Sequence, residues 1–177
     1  LFPYTTLFRS ERCFGDQVPA GHSPGEQESE LGEHLATLLA EYRANLDGLH
    51  FRKAAQTLRA MWSAANSYLE LKSPWLQIRE DAEAAALSLR TAMNLVFLFG
   101  LVSEPIIPNT AATLRGLFER ADDNPPNANR WPEQHEVRGL AWIPAGRGFT
   151  VPELLFRKLT DDDVAAWRDR FGAEAVS

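Results

Sequence analysis

The sequence predicts an all-α helical bundle with an irregular C-terminal closing segment. Apolar side chains recur at three- and four-residue steps through two successive stretches, residues 31–49 and 51–69, the spacing that lines one face of an α-helix. A third stretch, residues 81–102, is apolar over most of its circumference, as the central helix of a bundle is. Gly48, Pro74 and Pro105 fall where these stretches end. With 177 residues, 45% of them hydrophobic, the chain has enough apolar material for one core and the length of one domain.

Each element follows from local chemistry. Residues 14–24, with Gly15, Pro19, Gly21 and Pro24, read as a connecting arm. Ser23 and Pro24 offer a cap and first-turn pair for a helix carrying Leu31, Leu35, Leu38, Tyr42, Leu46 and Leu49 on one face. The next helix buries Phe51, Ala54, Leu58, Met61, Trp62, Ala65 and Leu69; Trp62 on this stripe is core. Pro74 stops it, because proline has no N–H to donate and disfavours helical geometry at the residue before it. Trp75 is therefore held in a turn. The central helix runs from Asp81 to Val102 with Glu80, Asp81 and Glu83 at the positive end of its dipole. Pro105 and Pro108 bracket Ile106 and Ile107, after which Asn109 or Thr110 caps a helix reaching Phe118. Residues 122–132 form a turn-rich loop, and Asp161–Asp163 open a last helical stretch to Phe171.

Charge and composition narrow the function. The net charge of -6 argues against a surface coated for nucleic acid. Residues 40–80, however, carry six cations against four acids, so phosphates would be met at one place only. The lone Cys13 excludes an internal disulfide and a cysteine-based zinc site, and fits the cytosol. The apolar run 93–102 is about half the length that crosses a bilayer. His22, His34, His50 and His135 are scattered, and no nucleophile has an evident base, so neither a metal centre nor covalent catalysis is expected. Residues 1–10 lack the pattern of a signal peptide and resemble a translated sequencing-adapter peptide. They are set aside as an artefactual or disordered lead over 1–13, before a bundle over 14–120 and a loop with a docking segment over 121–177.

A set of ordered motifs carries a resemblance. Phe51 and Ala54, then Ala65-Asn66-Ser67-Tyr68, then Pro74-Trp75, then Pro105-Ile106-Ile107-Pro108 follow in the order and spacing of the anticodon-binding helical domain of methionyl-tRNA synthetases, a class I family. The arm 14–19 and the segment Leu155-Phe156-Arg157-Lys158-Leu159 resemble the family's entry and closing segments, with Arg157 where the family has proline. Valyl-, leucyl-, isoleucyl- and cysteinyl-tRNA synthetases have related helical domains. The family's ATP-binding signatures, His-x-Gly-His and Lys-Met-Ser-Lys-Ser, are absent from this sequence, so no catalytic residue, metal or cofactor is expected on the chain itself. The resemblance implies ATP and Mg in the parent enzyme only, with its catalytic domain and the tRNA(Met) anticodon stem-loop as partners. The family's first helix, whose Asn and Arg read anticodon bases, would end where the adapter-like lead stands. The alternatives are a stand-alone helical module that docks protein or RNA, and the anticodon domain of one of these sibling class I synthetases.

The resemblance implies that Trp75 lies against the first anticodon base, where an indole can stack while Pro74 fixes the turn. Lys72 and Arg79 are candidates for phosphate contact. Asn66 and Tyr68 are assigned structural roles, the carboxamide pairing a backbone carbonyl near the Pro74 or Pro105 break. Pro105 and Pro108 shape the junction into the next helix.

Overall fold

The computed structural model describes residues 2–118, 130–151, 155 and 158–172, with side chains from residue 7 onward. The elements in order are α1 (Phe2–Phe14), α2 (Glu26–Asp47), α3 (Phe51–Lys72), α4 (Pro74–Gln77), α5 (Ala82–Val102), α6 (Pro108–Gly116), α7 (Gln134–Gly139) and α8 (Asp161–Phe171). Among the described residues the only β feature is an isolated antiparallel bridge between Gln17 and Gly148.

The all-apolar stretch is the hub. α5 packs against α1, α3, α4 and α6, while α2 lies along α3 and α7. By length and composition α5 could cross a membrane, but 94% of its most apolar window is buried within the bundle. Its N-cap is Asp81, whose Oδ1 accepts the Ala84 N–H at 2.9 Å. At its other end Arg115 of α6, itself buried, donates from Nη1 to the Gly100 carbonyl and pairs through Nη2 with Glu104 at 3.3 Å.

Helix boundaries depart from the sequence expectation where proline and glycine set them. α2 begins at Glu26 behind Gly25, because the Glu28 carboxylate reaches back to the Gly25 N–H at 2.8 Å, so the cap falls later than Ser23. α6 begins at Pro108 with Ile107 as cap, not at Asn109 or Thr110. Proline at the first helical position has its φ already set, and its missing N–H would have had no helical partner there. Within the lead set aside over 1–13, residues 2–13 are helical, in a helix that runs on to Phe14, and Leu7 and Ser10 are fully buried where α1 meets the bundle.

The segment after residue 130 closes the same core. Val137, Leu140, Ile143 and Phe149 join the main hydrophobic cluster, and Trp131 stacks on Tyr42 at 5.6 Å. The backbone of residues 146–149 pairs with the arm, Val18 N–H donating to Arg147 and Gly146 N–H to Val18, both at 2.8 Å. Most of the loop expected over 122–132 lies outside the described residues, as do Phe156 and Arg157 of the closing motif.

α7 reaches α2 only because residue 32 has no side chain. A Cβ at Gly32 would stand 2.4 Å from the Arg138 carbonyl oxygen, a backbone atom that cannot swing aside. Gly32→Ala is expected to push α7 off α2 at a cost of about 1–3 kcal/mol, the usual penalty of overpacking. A urea melt checks this; an unchanged midpoint would mean that α7 has another way to seat.

Candidate nucleic-acid interface

The Pro-Trp corner is built by backbone geometry. α3 ends at Lys72, and Ser73 then takes a left-handed conformation, φ 41 and ψ 56, which reverses the chain. The Ser73 N–H still donates to the Leu69 carbonyl at 2.9 Å, and its carbonyl accepts from Leu76 at 2.8 Å and from Gln77 at 3.1 Å. One residue thus closes one helix and opens the next. Pro74 is buried at the first position of α4, where its missing N–H is not needed.

Trp75 follows, held at its root and open at its ring. It is 37% exposed, which is too much for a core indole. The Arg9 guanidinium lies 4.4 Å from the ring centroid, a cation over an aromatic face. Leu71 and Leu76, before and after it in the chain, are each 68% exposed. Arg79 is exposed in the same turn region, with no ion pair among the described residues. An open indole, apolar neighbours and guanidinium groups make a surface on which a planar, negatively flanked ligand can stack and pair.

The other sequence candidates divide. Tyr68 is buried, and its hydroxyl donates to Glu28 Oε1 at 2.8 Å. Trp62 is partly buried and stacks on Phe99 with centroids 4.2 Å apart, a core contact. Pro105 and Pro108 are exposed and flank the turn in which the Ile106 and Ile107 N–H groups both donate to the Ser103 carbonyl.

Two assignments are corrected. Asn66 faces solvent with no hydrogen-bond partner among the described residues, so it braces no helix break. The buried carboxamide is Asn94 of α5, which accepts the Ile143 N–H at 2.8 Å and donates to the Ile143 carbonyl at 3.2 Å. Helical rotation explains the exchange: position 66 turns away from the stripe that holds Ala65 and Leu69, whereas α5 is buried at every position from residue 85 onward except Arg90. Lys72 is not a free cation either. Its ammonium lies 2.8 Å from Glu28 Oε1 with 17% of the side chain exposed, and 5.7 Å from the Tyr68 ring centroid.

Glu28 balances opposed influences. Burial would raise its pKa, but the bonds from Lys72, the Gly25 N–H and Tyr68 together leave it below the ordinary 4.5. Burial, reinforced by the Glu28 carboxylate, pushes the Tyr68 hydroxyl up. A carboxyl depressed in the folded state contributes stability above its unfolded pKa and loses it as pH falls through the folded value. The chain is therefore expected to lose stability more steeply below about pH 4.5 than its Glu28→Gln variant, as thermal melts across pH 3 to 7 would show. Parallel curves would remove Glu28 from the acid transition.

Among the described residues no group of three or more His, Cys, Asp or Glu side chains is placed to hold a metal ion. The His-x-Gly-His and Lys-Met-Ser-Lys-Ser signatures do not occur in the sequence.

The architecture is an all-α bundle of the kind found in solved methionyl-tRNA synthetases. The chain superposes on methionyl-tRNA synthetase from Mycobacterium tuberculosis with TM-score 0.74 in the apo form, at 18% identity over 90% of this chain and 31% of that one. The complex of that enzyme with methionyl-adenylate gives 0.70 at 18% identity, over 89% and 30%. At that identity the likeness speaks for the fold.

Residues 18–176 match the family described as the anticodon binding domain of methionyl tRNA ligase, and the chain belongs to that family. It is 50% identical over 171 residues to a methionine–tRNA ligase of Streptomyces avermitilis, covering 97% of this chain and 29% of that protein. To the corresponding ligase of Cereibacter sphaeroides strain ATCC 17029 it is 43% identical over 158 residues, covering 89% and 26%. The chain spans under a third of the length of these relatives.

Proposed function

We propose that this chain is the part of a methionine–tRNA ligase that recognises the tRNA(Met) anticodon, by stacking Trp75 on the first anticodon base while neighbouring backbone groups read that base's edge. The observation that carries this reading is the exposed indole at a rigid turn, in a chain that belongs to the anticodon-binding family. Pro74 fixes the turn, Arg9 lies over the ring, and Arg79 meets phosphate beside it. ATP-dependent activation of methionine with Mg, and its transfer to tRNA, belong to a catalytic domain whose signatures this sequence does not contain. Recognition and chemistry are thus divided between two parts of one enzyme, working in the cytoplasm, where the exposed thiol of Cys13 stays reduced.

Fluorescence anisotropy with a labelled anticodon stem-loop tests it, using a second hairpin altered at the first anticodon base as control. Tight binding of the first and weak binding of the second are expected. Equal affinity for both would leave a phosphate-binding surface without sequence recognition. Arg79→Gln is expected to weaken both hairpins alike and to make the salt dependence shallower by roughly 0.7–0.9 in log–log slope, the signature of one lost phosphate contact. An unchanged slope would place Arg79 away from the RNA.

A further inference from the structure

The Trp75 turn is launched from a helix end that is tied down by a buried charge. Tyr68 and Lys72 are one helical turn apart on α3, and both reach the same atom, Oε1 of Glu28, each at 2.8 Å. The other oxygen, Oε2, accepts the Gly25 N–H at 2.8 Å where α2 begins. Glu28 is 6% exposed. One carboxylate therefore joins the start of α2 to the final two turns of α3, and Trp75 comes three residues after the last contact.

Cohesion alone does not call for this arrangement. Bringing a carboxylate and an ammonium out of water costs about as much as their attraction returns, and apolar side chains of the same volume often serve stability as well or better. What a three-point ionic tie adds is direction, since fixed oxygen positions set the rotation of the last turn of α3. Ser73 leaves that turn with φ 41, so any rotation of Lys72 is carried into Pro74 and the indole.

We propose that Glu28, Tyr68 and Lys72 form a positioning device that orients Trp75 toward an unpaired base, and that Lys72 serves RNA binding through this tie without touching phosphate. The inference rests on the RNA-binding reading above and assigns Lys72, the last residue of α3, a different role from Arg79. Lys72 here is a positioning residue.

The full chain labelled with 5-fluorotryptophan tests it. The chain has five Trp residues, and Trp75→Phe assigns the relevant resonance. Lys72→Met is expected to shift the Trp75 resonance in the free protein and to weaken stem-loop binding roughly three- to tenfold, well below its melting temperature. The salt slope should stay that of the parent chain, and Lys72→Arg should restore both properties. A fixed Trp75 resonance overturns the proposal, as does a slope made shallower by roughly 0.7–0.9, which would make Lys72 a phosphate ligand. If Lys72→Met does not fold, Glu28→Gln, which keeps one acceptor oxygen, is read by the same criteria. If Trp75→Ala leaves binding intact, the RNA-binding reading falls, while the resonance still decides whether the tie orients the indole.

Discussion

Replacing Trp75 by alanine is expected to weaken binding of the anticodon stem-loop by about 1–3 kcal/mol, roughly five- to 150-fold, with the melting temperature little changed. Both halves of that result come from the geometry. Trp75 is 37% exposed, so loss of its ring opens no sealed cavity in the core. The turn that carries it depends on Ser73, Pro74 and backbone hydrogen bonds, all of which the substitution leaves in place. Trp75→Phe should recover part of the affinity, since a smaller ring still stacks. Anisotropy titrations paired with melts check both halves. A variant that binds as well as the parent, or that binds poorly only because it unfolds, contradicts the assignment.

The largest expected loss of stability lies far from the RNA surface, at Asn94. Its carboxamide satisfies both backbone groups of Ile143 and donates to the Arg90 carbonyl, at the point where the closing segment meets α5. Asn94 is 1% exposed and so is Ile143, so water cannot replace the bonds. In Asn94→Leu the Ile143 N–H and carbonyl are left buried and unpaired, at about 1–3 kcal/mol for each orphaned group. The expected total is roughly 2–6 kcal/mol, a large fraction of the about 5–15 kcal/mol that holds an ordinary domain folded. A denaturant melt measures it, and hydrogen exchange at Ile143 locates it. A loss below about 1 kcal/mol would show that the closing segment contributes little to the fold.

The two substitutions also show which parts of the molecule could be read from the sequence. The helices 26–47, 51–72 and 82–102 announce themselves because their apolar spacing and their Gly and Pro stops agree. The stop of the long helix before Pro74 was legible for the same reason, but the four-residue helix α4 that carries Trp75 was not, because a proline that ends one helix can equally open the next. Asn66 and Asn94 were not distinguishable by type, since both are amides on helices. What separates them is rotation about the helix axis, and the period of α3 places residue 66 away from the buried stripe of Ala65 and Leu69. That signal was present in the spacing and outweighed by the motif around Asn66.

The pairing of Lys72 with Glu28 was beyond the sequence. The two are 44 positions apart, and no pattern at that separation marks a shared carboxylate. Tyr68 gives the missing clue only in three dimensions, because its hydroxyl and the Lys72 ammonium converge on one oxygen. Arg9 was missed for a different reason. It belongs to a segment set aside for its resemblance to an adapter peptide, yet Leu7 and Ser10 three residues apart already suggest a buried helical face. The arm-to-tail pairing at Val18 and Arg147 was likewise invisible, since it consists of backbone bonds between irregular segments.

The most direct test of the central claim is photo-crosslinking of an anticodon stem-loop carrying 5-iodocytidine at the first anticodon position, followed by peptide mapping of the adduct. Attachment at Trp75, lost in Trp75→Ala and suppressed by unlabelled stem-loop, is the predicted result. Specific attachment elsewhere on the bundle, with Trp75 unmodified, would contradict it.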